Sequence, residues 1–122
     1  MLKLISKLVG SKSDRDLKKL QPYVESVNAF EAALKAMSND QLRARTAAFK
    51  ASIAEATAET KASKDALYAQ IDATPDYDAR EPLYEQIETL DAQELELIEG
   101  VLSSIHPEAF GVMRETARRF NA

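Results

Sequence analysis

The sequence predicts an all-α fold. Only three Gly and four Pro interrupt 122 residues. Ala, Leu, Glu and Lys, all strong helix formers, are abundant. Apolar residues of the second half recur at spacings of three and four, the period of a helix with one buried face.

Residues 1–9 (MLKLISKLV) predict a short amphipathic helix closed by Gly10. On a helical wheel Leu2, Leu4, Ile5, Leu8 and Val9 share one side, and Lys3, Ser6 and Lys7 occupy the other. A helix over 14–37 follows, starting at Ser13 with Asp14 and Asp16 in its first turn, where carboxylates suit the positive helix end. Pro22 lies inside it and predicts a bend or a later start. Ser38 and Gln41 have capping-box spacing, so the next helix spans 39–73. Thr74-Pro75-Asp76-Tyr77-Asp78 is the one clear turn. A helix over 79–104 then accommodates Pro82 in its first turn. Pro107, a favoured first helical residue, opens a C-terminal helix over 107–120.

Helices 39–73 and 79–104 are expected to fold back as a long antiparallel hairpin. Leu83, Ile87, Leu90, Leu97, Val101 and Ile105 form the seam of the second arm, and Leu42, Phe49, Ile53, Leu67 and Ile71 that of the first. Leu67 and Ile71 should face Leu83, Tyr84 and Ile87 near the turn. Phe49 and Ile53 should face Leu97, Ile98 and Val101 at the base. Between these patches the seam is thin, with Ala56, Thr60 and Ser63 on one arm and Glu94 on the other.

Composition narrows the function. The absence of Cys removes disulfides, thiolate catalysis and Cys-bound zinc. No apolar run approaches the ~20 residues that span a bilayer, and residues 1–9 lack the cleavage site of a signal peptide. Net charge is −4, unevenly spread: residues 1–20 carry six Lys/Arg against two Asp, and residues 55–99 carry thirteen Asp/Glu against three Lys/Arg. A basic arm on an acidic body argues against nucleic-acid binding and leaves room for a contact with acidic lipid or protein.

No constellation of residues supports catalysis. His106 is the single histidine, and its plainest role is at a helix start before Pro107. No phosphate-cradling Gly-rich loop occurs, and no His/Asp pair is available to activate a Ser or Thr. Asp76, Asp78 and Glu81 lack calcium-loop spacing, and Asp78 with Glu81 reads better as a helix cap. No catalytic, cofactor-binding or metal-binding residue is expected. The acidic body reads first as a solvated helical face, with a docking surface for a basic partner as the alternative. For residues 1–9 the pattern alone favours packing on the other helices; the alternative is a helix lying on anionic lipid or in a partner's groove.

Several stretches resemble the N-terminus of the SecA preprotein-translocase ATPases. Ser13-Asp14-Arg15 with Leu17-Lys18 looks like the opening of that family's second helix. Val27-Asn28-Ala29-Phe30-Glu31 is similar to its Ile-Asn-Ala-hydrophobe-Glu segment. Leu42, Arg43, Arg45, Thr46 and Phe49 resemble its Leu-x-x-Lys-Thr-x-x-Phe. Pro107-Glu108-Ala109-Phe110, Val112, Arg114-Glu115 and Ala117 resemble its Pro-Glu-Ala-Phe-Ala-Val-Val-Arg-Glu-Ala stretch. The match covers about 1–54 and 105–120, and residues 55–104 look like a helical insertion in a single helical domain spanning 1–122.

The resemblance implies the N-terminal helical part of a larger motor that exports preproteins through SecYEG. ATP and Mg belong to that motor, whose nucleotide-binding loop is expected beyond Ala122. The implied role is a scaffold and a membrane and translocon contact, not catalytic in itself, at the cytoplasmic face of the plasma membrane. Leu2, Lys3, Leu4, Ile5, Lys7, Leu8 and Val9 would make the contact. The implied partners are the remainder of the motor, SecYEG and acidic phospholipid. A homodimer through the thin hairpin seam, and a stand-alone helical interaction module, stay open as alternatives.

Overall fold

The computed structural model describes Ile5, Lys7 and residues 10–122. Among them are four helices and no strand: α1 (Lys12–Asn28), α2 (Glu31–Ala36), α3 (Asn39–Ala73) and α4 (Tyr77–Phe120). The expected all-α fold holds. The contacts gather into two compact units, Met1–Leu42 with His106–Ala122, and Arg43–Ile105.

In the first unit, α1 is entered two residues earlier than expected, at Ser11 instead of Ser13. Ser11 is the N-cap: its Oγ accepts from Asp14 N at 3.1 Å, and Ser11 N donates to Asp14 Oδ2 at 3.0 Å. This reciprocal pair satisfies two of the donors a helix start leaves free. The hydrogen bond from the Ser11 backbone, then that from its hydroxyl, holds the Asp14 carboxyl below the usual range. Gly10 precedes the cap at φ 76°, a left-handed conformation that favours glycine. Pro22 sits inside α1 without ending it.

The expected continuous helix over 14–37 is instead two helices broken at Ala29-Phe30. There Phe30 N donates to Val27 O at 3.2 Å, a tightened last turn that closes α1. The chain then turns so that Leu34 of α2 is only 1% exposed. No Gly or Pro marks this break, which is why the apolar period runs through it unmarked. Extended Met37 ends α2. Ser38 and Gln41 form the predicted capping box, with Ser38 N donating to Gln41 Oε1 at 2.9 Å and Gln41 N to Ser38 Oγ at 3.1 Å.

The second unit is the predicted hairpin. Leu67, Ile71 and Ile87 form its buried core beside the turn, with Leu83 and Leu90 packed against them. Tyr84 stays half exposed. The second arm begins at Tyr77, where Asp76 Oδ1 accepts from Asp78 N at 3.1 Å, so Asp76 rather than Asp78 supplies the cap. Arg80 fixes the turn by donating from Nε to Thr74 O at 2.6 Å.

Halfway along the hairpin, Thr57 and Thr60 are buried where larger apolar residues would force the arms apart. The Thr57 hydroxyl donates to Ile53 O at 2.9 Å, which keeps a buried polar group satisfied. Glu94 lies on this thin seam as predicted, and Lys64 and Lys61 meet it there. Leu97 does not: it is 40% exposed, and its neighbour Ile98 is the more covered residue. In the inward series of Leu90, Glu94, Ile98 and Val101, steps of four, four and three place Ile98, not Leu97, on the buried line.

A separate helix over 107–120 is not formed, because α4 continues through His106-Pro107 to Phe120. A mid-helix proline forfeits one backbone bond and frees the carbonyl four residues back, here that of Ser103. Ser103 is exposed, so water can satisfy that carbonyl.

Candidate functional site

The first unit joins two stretches far apart in the chain. Tyr23 of α1 shares a hydrogen bond with His106 of α4, with Oη and Nδ1 2.5 Å apart. Phe110, one turn further on, packs edge-on against His106 at 4.7 Å between ring centres and against Tyr23 at 6.3 Å. His106 therefore lies inside a helix, held by an aromatic pair, and not at the helix start the sequence suggested.

The next residue, Gly111, meets the α1–α2 junction. A Cβ at 111 would lie 2.7 Å from Leu34 Cδ1, 3.6 Å from Phe30 Cβ and 3.8 Å from Val27 O. A side chain there would require the Leu34 methyl to shift. Arg114 then donates to Asn28 Oδ1 at 2.6 Å and lies 3.8 Å from the Glu31 carboxylate.

Arg119 ties down the end of α2. It donates to Met37 O at 2.6 Å, Leu34 O at 3.1 Å and Asn39 Oδ1 at 2.7 Å. Both carbonyls lie at the end of α2, where Leu34 O also accepts from Met37 N at 3.2 Å. Buried Glu115 orients this arginine, accepting from Arg119 Nε at 2.8 Å and from Arg118 at 2.7 and 2.9 Å. The Arg118 hydrogen bonds, then that from Arg119, pull the Glu115 carboxyl down to about 2.

A cavity of about 130 Å³ opens beside these groups, with Glu31, Lys35, Arg114 and Arg118 at its walls. Its charges are already matched, since Glu31 pairs with Lys35 at 2.6 Å and Arg118 with Glu115. The hydrogen bond from Lys35 lowers the Glu31 carboxyl below its ordinary value. Among the described residues no group of three or more His, Cys, Asp or Glu is placed to hold a metal ion.

Of the residues expected at a membrane or translocon contact, Leu2, Lys3, Leu4, Leu8 and Val9 lie outside the described set. Ile5 and Lys7 are described, and both are exposed. The structure adds α1 to that surface. Leu17, Leu20 and Val24, spaced three and four apart, are 63%, 56% and 45% exposed. Lys12, Arg15 and Lys19 repeat the same spacing on another face, and all three are exposed. The sequence already held this amphipathic pattern, but only the structure shows that its apolar side is not covered within the described residues. No helix among the described residues is long and apolar enough to cross a membrane.

The stretches that meet in this unit, Val27 to Glu31 and Pro107 to Ala117, are among those quoted above for a family resemblance. A family model, SecA DEAD-like domain, matches residues 5–122. The chain belongs to the SecA DEAD-like domain family. Protein translocase subunit SecA of Christiangramia forsetii is 41% identical over 117 residues, which is 96% of this chain and 10% of that protein. SecA of Prosthecochloris aestuarii is 39% identical over 121 residues, covering 98% of this chain and 12% of its own length. SecA of Amoebophilus asiaticus is 41% identical over 122 residues, or 98% of this chain and 11% of the relative. The chain thus spans about a tenth of the length of the SecA relatives it matches. Matches of this extent run through the hairpin, so these SecA proteins share it. No solved structure matches the chain.

Proposed function

We propose that this chain is the N-terminal helical part of a SecA protein translocase, serving there as a scaffold and as a membrane and translocon contact. The observation that carries the reading is the family match over 5–122 in a sequence with no phosphate-cradling loop. On this reading ATP and Mg are bound by the rest of the motor, and the chain hydrolyses nothing itself. The surrounding partners are the remainder of that motor, SecYEG and acidic phospholipid, at the cytoplasmic face of the plasma membrane.

The first unit supports the scaffold role through paired, inward-facing polar groups such as Glu115 and Arg119. The contact role rests on Leu2, Lys3, Leu4, Ile5, Lys7, Leu8 and Val9, continued by the exposed apolar and basic faces of α1. Amphipathic helices of this composition bind the bilayer interface by apolar burial plus attraction to anionic headgroups.

The test is binding to vesicles containing phosphatidylglycerol, comparing the chain with a Lys3→Glu, Lys7→Glu variant. Weaker binding at unchanged helicity, with further loss on adding salt, supports the contact. Equal binding by the variant removes it. Immunoblotting the source organism for the native polypeptide tests the larger reading, since a band far above 13.5 kDa is expected.

A further inference from the structure

The hairpin carries a ridge that the proposed membrane and scaffold roles do not use. Tyr77, Tyr84, Leu95 and Leu102 of α4 are 81%, 49%, 57% and 46% exposed. Their separations of seven, eleven and seven residues sum to whole numbers of helical turns within a few tens of degrees, so the four lie on one line. That line lies beside the buried seam of Ile87, Ile98 and Val101, not on it. Single exposed apolar residues are ordinary, but these four stand in register along about 38 Å of one helix, as two apolar pairs separated by Glu88 and Asp91.

The charges along that line say what would cover it. Glu81 and Glu88 fall between the ridge residues on the same side of the helix. Neither takes part in any ion pair or hydrogen bond among the described residues. Of the thirteen carboxylates between residues 55 and 99, only Asp91 and Glu94 meet a cation there, both through the lysines of α3. The opposite flank of α4 differs, with Gln86, Thr89 and Gln93 carrying no charge. Apolar area edged by unpaired carboxylates complements a segment that alternates apolar and cationic side chains. It disfavours a second copy of the same acidic hairpin, whose own carboxylates would be brought against these.

We propose that this ridge of α4 is a docking surface for a basic amphipathic polypeptide segment. The segment's apolar side chains would lie on Tyr84, Leu95 and Leu102, and its lysines or arginines would meet Glu81 and Glu88. Burial supplies the attraction, while the carboxylates select the sign of charge and steer the encounter.

The experiment titrates the chain into a fluorescently labelled Leu/Lys amphipathic peptide of about four turns and follows anisotropy. Saturable binding that weakens with salt is expected. The Leu95→Ser, Leu102→Ser and Glu81→Gln, Glu88→Gln double variants should each bind at least about tenfold more weakly. All four positions are exposed, so thermal melts should match the parent and separate lost binding from lost fold. Leu97→Ser, on the other flank, should bind as the parent does. Absence of saturation, equal loss in Leu97→Ser, or equal affinity for a Leu/Glu peptide would overturn the proposal. So would sedimentation showing that the ridge instead joins two copies, with a dimer that Leu95→Ser, Leu102→Ser dissociates and no peptide bound.

Discussion

Gly111 and Leu34 are in contact across the first unit, so close that a methyl group on residue 111 would lie 2.7 Å from Leu34 Cδ1. Leu34 is 1% exposed and has little freedom to move aside. Replacing Gly111 by Ala sets two effects against each other. The helix gains about 1 kcal/mol in propensity, while overpacking costs about 1–3 kcal/mol. A net loss of about 1 kcal/mol is expected. The Leu34→Val background should reduce it, because the clash belongs to the pair. Chemical denaturation of the four combinations measures this, and a stabilised Gly111→Ala single variant would contradict the contact.

Glu115 makes the unit sensitive to acid. Its carboxyl titrates at about 2 in the folded chain, against an ordinary value of 4.5, because Arg118 and Arg119 hydrogen-bond the charged form. Between those values the unfolded chain holds a proton that the folded chain does not. Stability from this group is therefore complete above about pH 4.5 and is lost as pH falls toward 2. Asp14 and Glu31, also held low, act in the same direction. The Glu115→Gln variant should show a shallower decline in melting temperature across this window, and the difference from the parent isolates Glu115. Parallel curves would mean that the carboxylate is not held by the two arginines.

The sequence made some of these features visible and hid others for identifiable reasons. The hairpin was legible because Thr74-Pro75-Asp76 interrupts two long apolar periods, and Leu67, Ile71 and Ile87 meet as their spacing requires. The break at Ala29-Phe30 was not, since no Gly or Pro marks it. Pro107 misled in the opposite sense, because a residue favoured at a helix start is carried here inside one. The stretches quoted for the family resemblance do come together, but no spacing rule pairs Tyr23 with His106 across 83 residues. Likewise, an amphipathic pattern in α1 cannot by itself say which of its faces stays uncovered.

The register of the hairpin base yields a second stability comparison. Ile87 is 5% exposed within the core beside the turn, whereas Leu97 is 40% exposed. Ile87→Ala should cost about 2–4 kcal/mol through lost burial and the cavity left behind. Leu97→Ala should cost less than about 1 kcal/mol, as exposed truncations do. Urea titrations of the two variants test the assignment. A cost for Leu97→Ala as large as that for Ile87→Ala would place Leu97 back on the buried line.

The middle of the hairpin offers a sharper test, because its polar contact replaces apolar packing. Lys64 reaches both Glu94 and Asp91, and its ammonium and the Glu94 carboxylate are each largely covered, at 17% and 15% side-chain exposure. The hydrogen bonds to Glu94, then to Asp91, raise the lysine well above its usual range. The raised value means that this stability is present at all ordinary pH and is lost only in strong alkali, as pH rises through the folded value. Removing one partner leaves the other charge in the seam with only its more exposed second partner, Lys61 for Glu94 or Asp91 for Lys64, which costs more than the pair contributes. Lys64→Met should therefore destabilise the hairpin, and so should Glu94→Lys, which sets two cations together. Lys64→Met with Glu94→Leu removes both charges and fills the thin seam between Thr60 and Leu67. That double variant should be more stable than Lys64→Met and equal or exceed the parent. Thermal melts order the variants, and a double variant no more stable than Lys64→Met would show that the ion pair itself, and not the burial of an unmatched charge, holds the seam.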